Sequence, residues 1–186
     1  MAGFCLIAKL RNKIRVKPNN SIQIGKNTRI RYCDIYVNGN NNQLIIHDGA
    51  NLKGVSIELN GNNCLLEIGE NCIIGENCFL SCRESDTTLI IGSECMFSRN
   101  VKLMTSDGHD ILRDGKRINP AKSIYIGSHV WLADNVTVLK GVNIGNDSIV
   151  GINSTVTKSL EANTVAAGNP ARVIADSITW QEELTF

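Results

Sequence analysis

The sequence predicts an all-β fold built as a single parallel β-helix, and three observations carry that reading. Six aliphatic residues stand six apart without a break: Ile126, Leu132, Val138, Ile144, Val150 and Val156. Glycine or alanine follows four of them, in Ile126-Gly127, Leu132-Ala133, Ile144-Gly145 and Val150-Gly151. Earlier in the chain Ile24-Gly25, Ile46-His47, Ile68-Gly69 and Ile91-Gly92 recur at spacings of 22, 22 and 23. An α-helix places apolar residues three and four apart and a half-buried strand alternates them, so neither fits. A period of six fits a chain that turns a corner every six residues and points one large aliphatic inward on each short side.

The first segment, residues 1–20, is an N-terminal element with an apolar patch (Phe4, Leu6, Ile7, Leu10) and basic residues at Lys9, Arg11, Lys13 and Arg15. The apolar run is short, the charges follow it and no small-residue cleavage site appears. It therefore reads as a packed or interfacial element rather than a secretory signal. Residues 21–174 form the β-helix. In its first half Asn38-Gly39-Asn40-Asn41-Asn42 and Asn60-Gly61-Asn62-Asn63 repeat with glycines 22 apart. Each rung there is three hexads plus a small extra turn, and Asn and Gly tolerate the left-handed backbone that such a turn needs. From Ile126 onward three hexads make 18 residues per rung.

Between the halves, Phe97 and Leu103 keep the register and residues 105–123, TSDGHDILRDGKRINPAKS, do not. This polar stretch reads as a loop thrown out at one corner, and loops of that length in a compact domain are usually functional. Asn169-Pro170 stops the last rung. Residues 175–186, with Ile178, Trp180 and Leu184 at helical spacing, are expected to form a C-terminal tail or short helix.

Composition narrows the function. The 186 residues suit one domain, 42% hydrophobic and 20% charged, with only 5% aromatic residues, so the core is aliphatic and thin. A net charge of +1 gives no global pull toward nucleic acid or membrane. No stretch approaches the ~20 apolar residues of a membrane span. Cys72, Cys78 and Cys95 each lie four residues after a register aliphatic (Ile68, Ile74, Ile91), a repeated small-residue slot. None of the seven cysteines has the C-x-x-C spacing of a zinc or redox site. They read as reduced packing residues, which with the missing signal predicts a cytoplasmic location.

Of the three histidines, His47 follows a register isoleucine and reads as structural or surface, and His129 sits on a solvent-facing corner. His109 stands in Thr105-Ser106-Asp107-Gly108-His109, where the chain leaves the register. A histidine on a glycine-hinged loop root is free to meet a ligand, and its near-neutral pKa suits a general base. Asp107 either orients His109 or a substrate hydroxyl, or is a turn residue before Gly108. Trp131 is too large for the interior of a six-residue corner and is expected to point outward.

Six motifs in order then carry a family resemblance: Cys95-Met96-Phe97-Ser98, Thr105-Ser106-Asp107-Gly108-His109, Ile118-Asn119-Pro120-Ala121-Lys122, Ile126-Gly127-Ser128-His129-Val130-Trp131, Val156-Thr157-Lys158 and the run from Ala166 to Ile174. Together they resemble the hexapeptide-repeat O-acetyltransferases of the left-handed β-helix class, a group with maltose, galactoside, xenobiotic and capsular-polysaccharide branches. The N-terminal third matches only as generic repeat.

The resemblance implies that His109 is the base that takes the proton of an acceptor hydroxyl as its oxygen attacks the thioester of acetyl-CoA, with no metal. It implies that Trp131, Gly151 and Ile152 line the pantetheine arm and that Thr157, Lys158 and Arg172 meet the nucleotide end. It places Asp134 among the cofactor-binding residues too, at a position where a small polar residue is common, so an aspartate is a departure. Asp86 matches an acidic acceptor-binding position, and the family's acceptor-binding asparagine falls on Cys78, beside Asn77. The resemblance also implies a homotrimer with sites between subunits, His109 of one facing the Trp131 and Lys158 region of the next.

The expected function is therefore sugar O-acetylation, and the lack of an N-terminal helical acceptor domain favours surface polysaccharide over simple sugars. A xenobiotic O-acetyltransferase, an amino-sugar N-acetyltransferase and a non-catalytic β-helix binding protein are the alternatives. A zinc carbonic anhydrase on this fold needs three converging histidines, and His109 and His129 stand 20 apart with no close partner.

Overall fold

A computed structural model describes residues 10–183 and Thr185, and among these every element after Leu10 and Arg11, which carry helical backbone, is a strand. The strands build a three-walled prism. Its first wall stacks Lys13–Val16, Asp34–Asn38, Ser56–Asn60, Phe79–Arg83, Lys102–Met104, Thr137–Val138 and Thr155–Val156. The second wall stacks Ser21–Ile24, Gln43–Ile46, Leu65–Ile68, Thr88–Ile91, Ile124–Ile126 and Asn143–Ile144. The third stacks Arg29–Arg31, Asn51–Lys53, Ile73–Ile74, Met96–Phe97, Trp131–Leu132, Ile149–Val150 and Val165–Gly168, and Ala171–Ala175 closes its edge. Each coil visits the walls in this order, and every pairing within the walls is parallel except the closing one.

Parallel register turns the sequence period into columns. Ile35, Ile57, Leu80, Leu103, Val138 and Val156 stack in the first wall. Ile24, Ile46, Ile68, Ile91, Ile126 and Ile144 stack in the second. Leu52, Ile74, Phe97, Leu132, Val150 and Ala166 stack in the third. The corners carry columns of small residues. Ala50, Cys72, Cys95, Val130, Ser148 and Thr164 run up the corner between the second and third walls, each carbonyl accepting a backbone N–H from the coil below. Cys33, Val55, Cys78, Val101, Val136 and Ser154 run up the corner between the third and first. The cysteines in these slots are buried.

The first corner, between the first and second walls, is the wide one. Asn41, Asn63 and Asp86 repeat there in the left-handed region, with φ of 57°, 57° and 61°. Their side chains form a ladder, Asn41 Nδ2 to Asn63 Oδ1 at 3.4 Å and Asn63 Nδ2 to Asp86 Oδ1 at 2.9 Å. Gly39, at φ 99°, has no room for a side chain, because a Cβ there would lie 1.7 Å from the Gly61 carbonyl oxygen of the next coil. These two constraints explain the repeated Asn-Gly motif.

Both chain ends depart from the sequence reading. Lys13–Val16 already pairs with Asp34–Asn38, so the β-helix begins inside the segment 1–20. Phe4, Leu6, Ile7 and Lys9 lie outside the described residues. At the other end the expected short helix is absent among the described residues. Ala171–Ala175 instead folds back antiparallel on Val165–Gly168, and the following residues run as an extended strap. Asn163 takes both backbone polar groups of Ile178, which satisfies the strap without helical bonds. Leu184, the third residue of the helical spacing, lies outside the described residues.

Stability should rest on the columns. Leu66 is fully buried and stacked between Leu44 and Leu89. Leu66→Ala is expected to cost ~2–5 kcal/mol, read as a lower midpoint in urea unfolding followed by circular dichroism.

Candidate active site

The loop leaves the prism at the first corner through a narrow neck. Thr105 N–H keeps its ladder bond to Ser81, and the chain returns at Lys122, whose N–H donates to the Thr105 carbonyl at 2.9 Å. The Thr105 hydroxyl also joins the coil below, accepting from Arg83 N–H at 2.8 Å and donating to the Arg83 carbonyl at 3.0 Å. Beyond the neck a hairpin forms between Leu112–Arg113 and Lys116–Arg117. His109 stands on the outgoing arm with its imidazole exposed.

Two polar clamps hold this neck. In the first, buried Asn119 on the returning arm donates to the His109 carbonyl at 2.9 Å and to Asp107 Oδ2 at 2.7 Å, and accepts from Ile111 N–H at 2.7 Å. Lys140, from the corner one coil above, completes it. Its ammonium donates to Asp107 Oδ2 at 2.5 Å and to the Asn119 carbonyl at 2.9 Å, with its side chain only 16% exposed. Lys140, then Asn119, hold the Asp107 carboxyl below the usual carboxylate range. Asp107 is thus bonded to the clamp and makes no bond to the His109 ring, so the expected direct orientation of His109 by Asp107 is replaced by a shared anchor.

In the second clamp Arg117 grips Glu84 with two bonds of 2.7 Å, and Glu84 also accepts from the Ser106 hydroxyl at 2.6 Å. Arg117 reaches Asp110 at 2.9 Å as well. Two parallel N–H to carboxylate bonds are the strong form of this pairing. With Arg117 the main cause, the Glu84 carboxyl is lowered to about 2. Glu84, Arg83, Ser106, Gly108, Asp110 and Arg117 border a polar cleft of about 290 Å³ beside the His109 arm.

The other predicted residues distribute over the prism. Trp131 lies on the outer face of the third wall, half-buried as expected, between Met96 and Ile149 of the neighbouring coils. Its indole N–H donates to Ser98 Oγ at 3.3 Å. Gly151 follows on the same wall, Ile152 is exposed on the third corner one coil above Asp134, and Arg172 is exposed on the closing strand. This wall is opposite the corner that carries His109, so one chain does not bring His109 and Trp131 together. Thr157 and Lys158 lie on the first corner, in the last coil, and so share the His109 corner rather than the Trp131 wall.

Asp134 sits on the third corner and is spent on Arg99, whose backbone N–H and guanidinium donate to it at 2.8 and 2.7 Å. Asn77 is exposed on that same corner, away from His109 in the chain. Cys78 is corrected: it is fully buried, its thiol donates to the Ser98 carbonyl at 3.2 Å, and burial pushes it up to about 11. A sealed side chain makes no acceptor contact. Asp86 does lie on the first corner, below the loop, where it ends the asparagine ladder.

The sequence pattern does not single out Lys140, Glu84 or Trp180. Lys140 has one available signal, its place in the first corner directly after the loop, legible once the hexads are laid out coil by coil.

No protein-family model matches the chain. It is 36% identical over 137 residues to the polysialic acid O-acetyltransferase of Escherichia coli O1:K1 / APEC, covering 73% of this chain and 43% of that protein. It is 36% identical over 125 residues to the polysialic acid O-acetyltransferase of Neisseria meningitidis, covering 66% and 57%. The chain therefore spans about half the length of these two relatives. The crystal structure of the polySia-specific acetyltransferase NeuO superposes with a TM-score of 0.76 at 32% identity, over 93% of this chain and 90% of that one.

The Glu84 clamp has a pH signature. A carboxylate depressed by folding contributes stability that is fully present above its unfolded value of ~4.3 and is lost as pH falls through its folded value. The loop anchor should therefore weaken between the ordinary carboxylate range and about 2. NMR titration should place the Glu84 carboxyl near that low value, and Arg117→Ala should return it toward the ordinary range.

Proposed function

Because the chain belongs to the hexapeptide-repeat O-acetyltransferases of the left-handed β-helix class, we propose that it transfers acetyl from acetyl-CoA to a sugar hydroxyl of a surface polysaccharide or related glycan. The observation that carries this reading is the exposed His109 imidazole on a loop whose neck is clamped to three successive coils. The names of the two polysialic acid O-acetyltransferases support a glycan polymer as the acceptor class.

His109 acts as general base. An imidazole nitrogen takes the acceptor hydroxyl proton as the oxygen attacks the thioester carbonyl. The new C–O bond forms, the C–S bond breaks, and the proton leaves with CoA as its thiol. A thioester is already activated, so direct transfer needs no protein nucleophile, and the rate depends on holding both substrates in line. Asp107, Asn119 and Lys140 fix the loop root and do not touch the reacting atoms. Glu84 and its cleft, with Asp86 below, offer hydroxyl-binding partners beside the base.

Trp131, Gly151 and Arg172 share one wall, with Ile152 on the third corner at its edge, and we assign that wall and edge to the cofactor. Thr157 and Lys158 extend the basic side of the first corner. A prism whose base and cofactor wall lie on opposite sides needs a second copy, and a homotrimer pairs each first corner with a neighbour's third wall. No helix among the described residues is long and apolar enough to cross a membrane. We place the reaction in the cytoplasm, with acetyl-CoA as co-substrate.

Two outcomes test this. Acetyl-CoA turnover, followed as free thiol across neutral, acidic and amino sugars and their oligomers, should be acceptor-dependent and fall at least ~100-fold in His109→Ala, with CoA affinity unchanged. Thiol release only with amino sugars would replace O- by N-acetylation, and no CoA binding at all would sink the reading. Lys140→Met and Asp107→Asn should each lower kcat by about tenfold, and the double variant should lose little more, since groups acting as one unit are not additive.

A further inference from the structure

We infer that the C-terminal strap completes the cofactor wall, with Trp180 as a positioning residue for Trp131. The inference rests on the acetyl-CoA reading above, and it concerns a segment that the repeat does not require.

The strap runs down the second corner and touches three coils in turn. Ile178 N–H donates to the Asn163 carbonyl at 3.1 Å, and Asn163 Nδ2 donates back to the Ile178 carbonyl at 3.0 Å. One coil below, the Thr179 hydroxyl reaches Asp147 at 3.4 Å. One coil below that, the Trp180 indole N–H donates to the His129 carbonyl at 2.8 Å. The strap is thus delivered to one place, and that place is the coil that carries Trp131.

There Trp180 is gripped on two sides. Its ring stacks on His129, with centroids 4.4 Å apart and planes 8° from parallel. His129 is itself held by Asp147 at 2.9 Å. Trp180 also leans on Trp131, centroids 5.8 Å apart and planes tilted by 41°. Trp131 is therefore fixed at its indole nitrogen by Ser98 and along its ring by Trp180.

A mere cap for the last coil does not explain this. Every strap residue from Asp176 to Glu183 is exposed except Ile178 and Trp180, so the segment adds little to the core. The indole also bypasses the last two coils to meet the tryptophan of the third from the end. Without Trp180, the Trp131 ring loses its neighbour and the cofactor arm loses a rigid surface to lie against.

The chain has two tryptophans, and both stand in this contact, so intrinsic fluorescence reads the site alone. CoA and acetyl-CoA are titrated into the full chain by fluorescence and, independently of the reporter, by calorimetry. Wild type is compared with Trp180→Ala, Trp180→Leu and Trp180→Phe. The expected result is at least a tenfold loss of CoA affinity and a matching rise in KM for acetyl-CoA in Ala and Leu, with kcat within twofold. Phe should restore most of the affinity, because it can still stack on His129. Leu serves if Ala does not fold. Wild-type affinity and KM in the folded Ala or Leu protein would overturn the inference and leave the acetyl-CoA reading standing. Absence of CoA binding by wild type would overturn both.

Discussion

A backbone that turns a corner every six residues must satisfy its hydrogen bonds to the coils above and below, and everything else in this protein is arranged around that ladder. Each short side has room for one large inward side chain, or two on the longer strands of the first half, so the core is a set of stacked columns. Each corner needs small inward residues and left-handed backbone outside, which is why cysteine, alanine and serine fill the inner slots and asparagine and glycine the outer ones. Repeats of this kind take their stability from nearest-neighbour stacking. A column member that shrinks therefore weakens two interfaces at once.

The same ladder restricts where chemistry can be placed. Inward positions are sealed and corner backbone is committed to its neighbours, so reactive groups can stand only on outward positions or on segments that leave the ladder. Among the described residues the single long departure within the repeat is at the first corner, and the protein fastens it with charge where it cannot fasten it with backbone pairing. Lys140 from the coil above and Glu84 from the coil below close on opposite sides of the neck. Both ion pairs carry additional hydrogen bonds to neutral partners, the Asn119 carbonyl and the Ser106 hydroxyl. Such networks lose less to side-chain entropy than isolated surface pairs, whose median contribution is ~0–1 kcal/mol. The result is an exposed imidazole on a backbone tied by hydrogen bonds to the coil that carries Lys140.

Much of this was legible in the sequence and some was not, for reasons that separate cleanly. The hexad aliphatics sit on successive walls because period six is a direct consequence of the geometry, and His109 was visible because the register breaks around it. Lys140 was hidden because its meeting with Asp107 crosses 33 positions and depends on the loop returning to its own corner. Cys78 was misplaced because a motif position carries no information about burial, whereas its four-residue offset from Ile74 already marked an inner slot. Of the two forms expected for the C-terminus, the tail is found and the helix is not, because Ile178 and Trp180 satisfy a helical spacing weakly and an extended strap equally well. Local pattern could not weigh Asn163 and His129 as partners.

One geometric fact then governs how the proposed reaction is organised. The three walls follow one another in every coil, so the corner between the first and second is always opposite the third, whatever the number of coils. His109 is tied to that corner and Trp131 to that wall. Adding or removing hexads cannot bring them together, and neither can bending a loop that is clamped at its neck. In the proposed reading, an acceptor at one and a thioester at the other meet between two copies of the chain. The strap belongs to the same logic. In the proposed assembly it stiffens the third wall from its own subunit, so that the surface offered to a neighbour's base is rigid before the neighbour arrives, and binding then loses less to ordering.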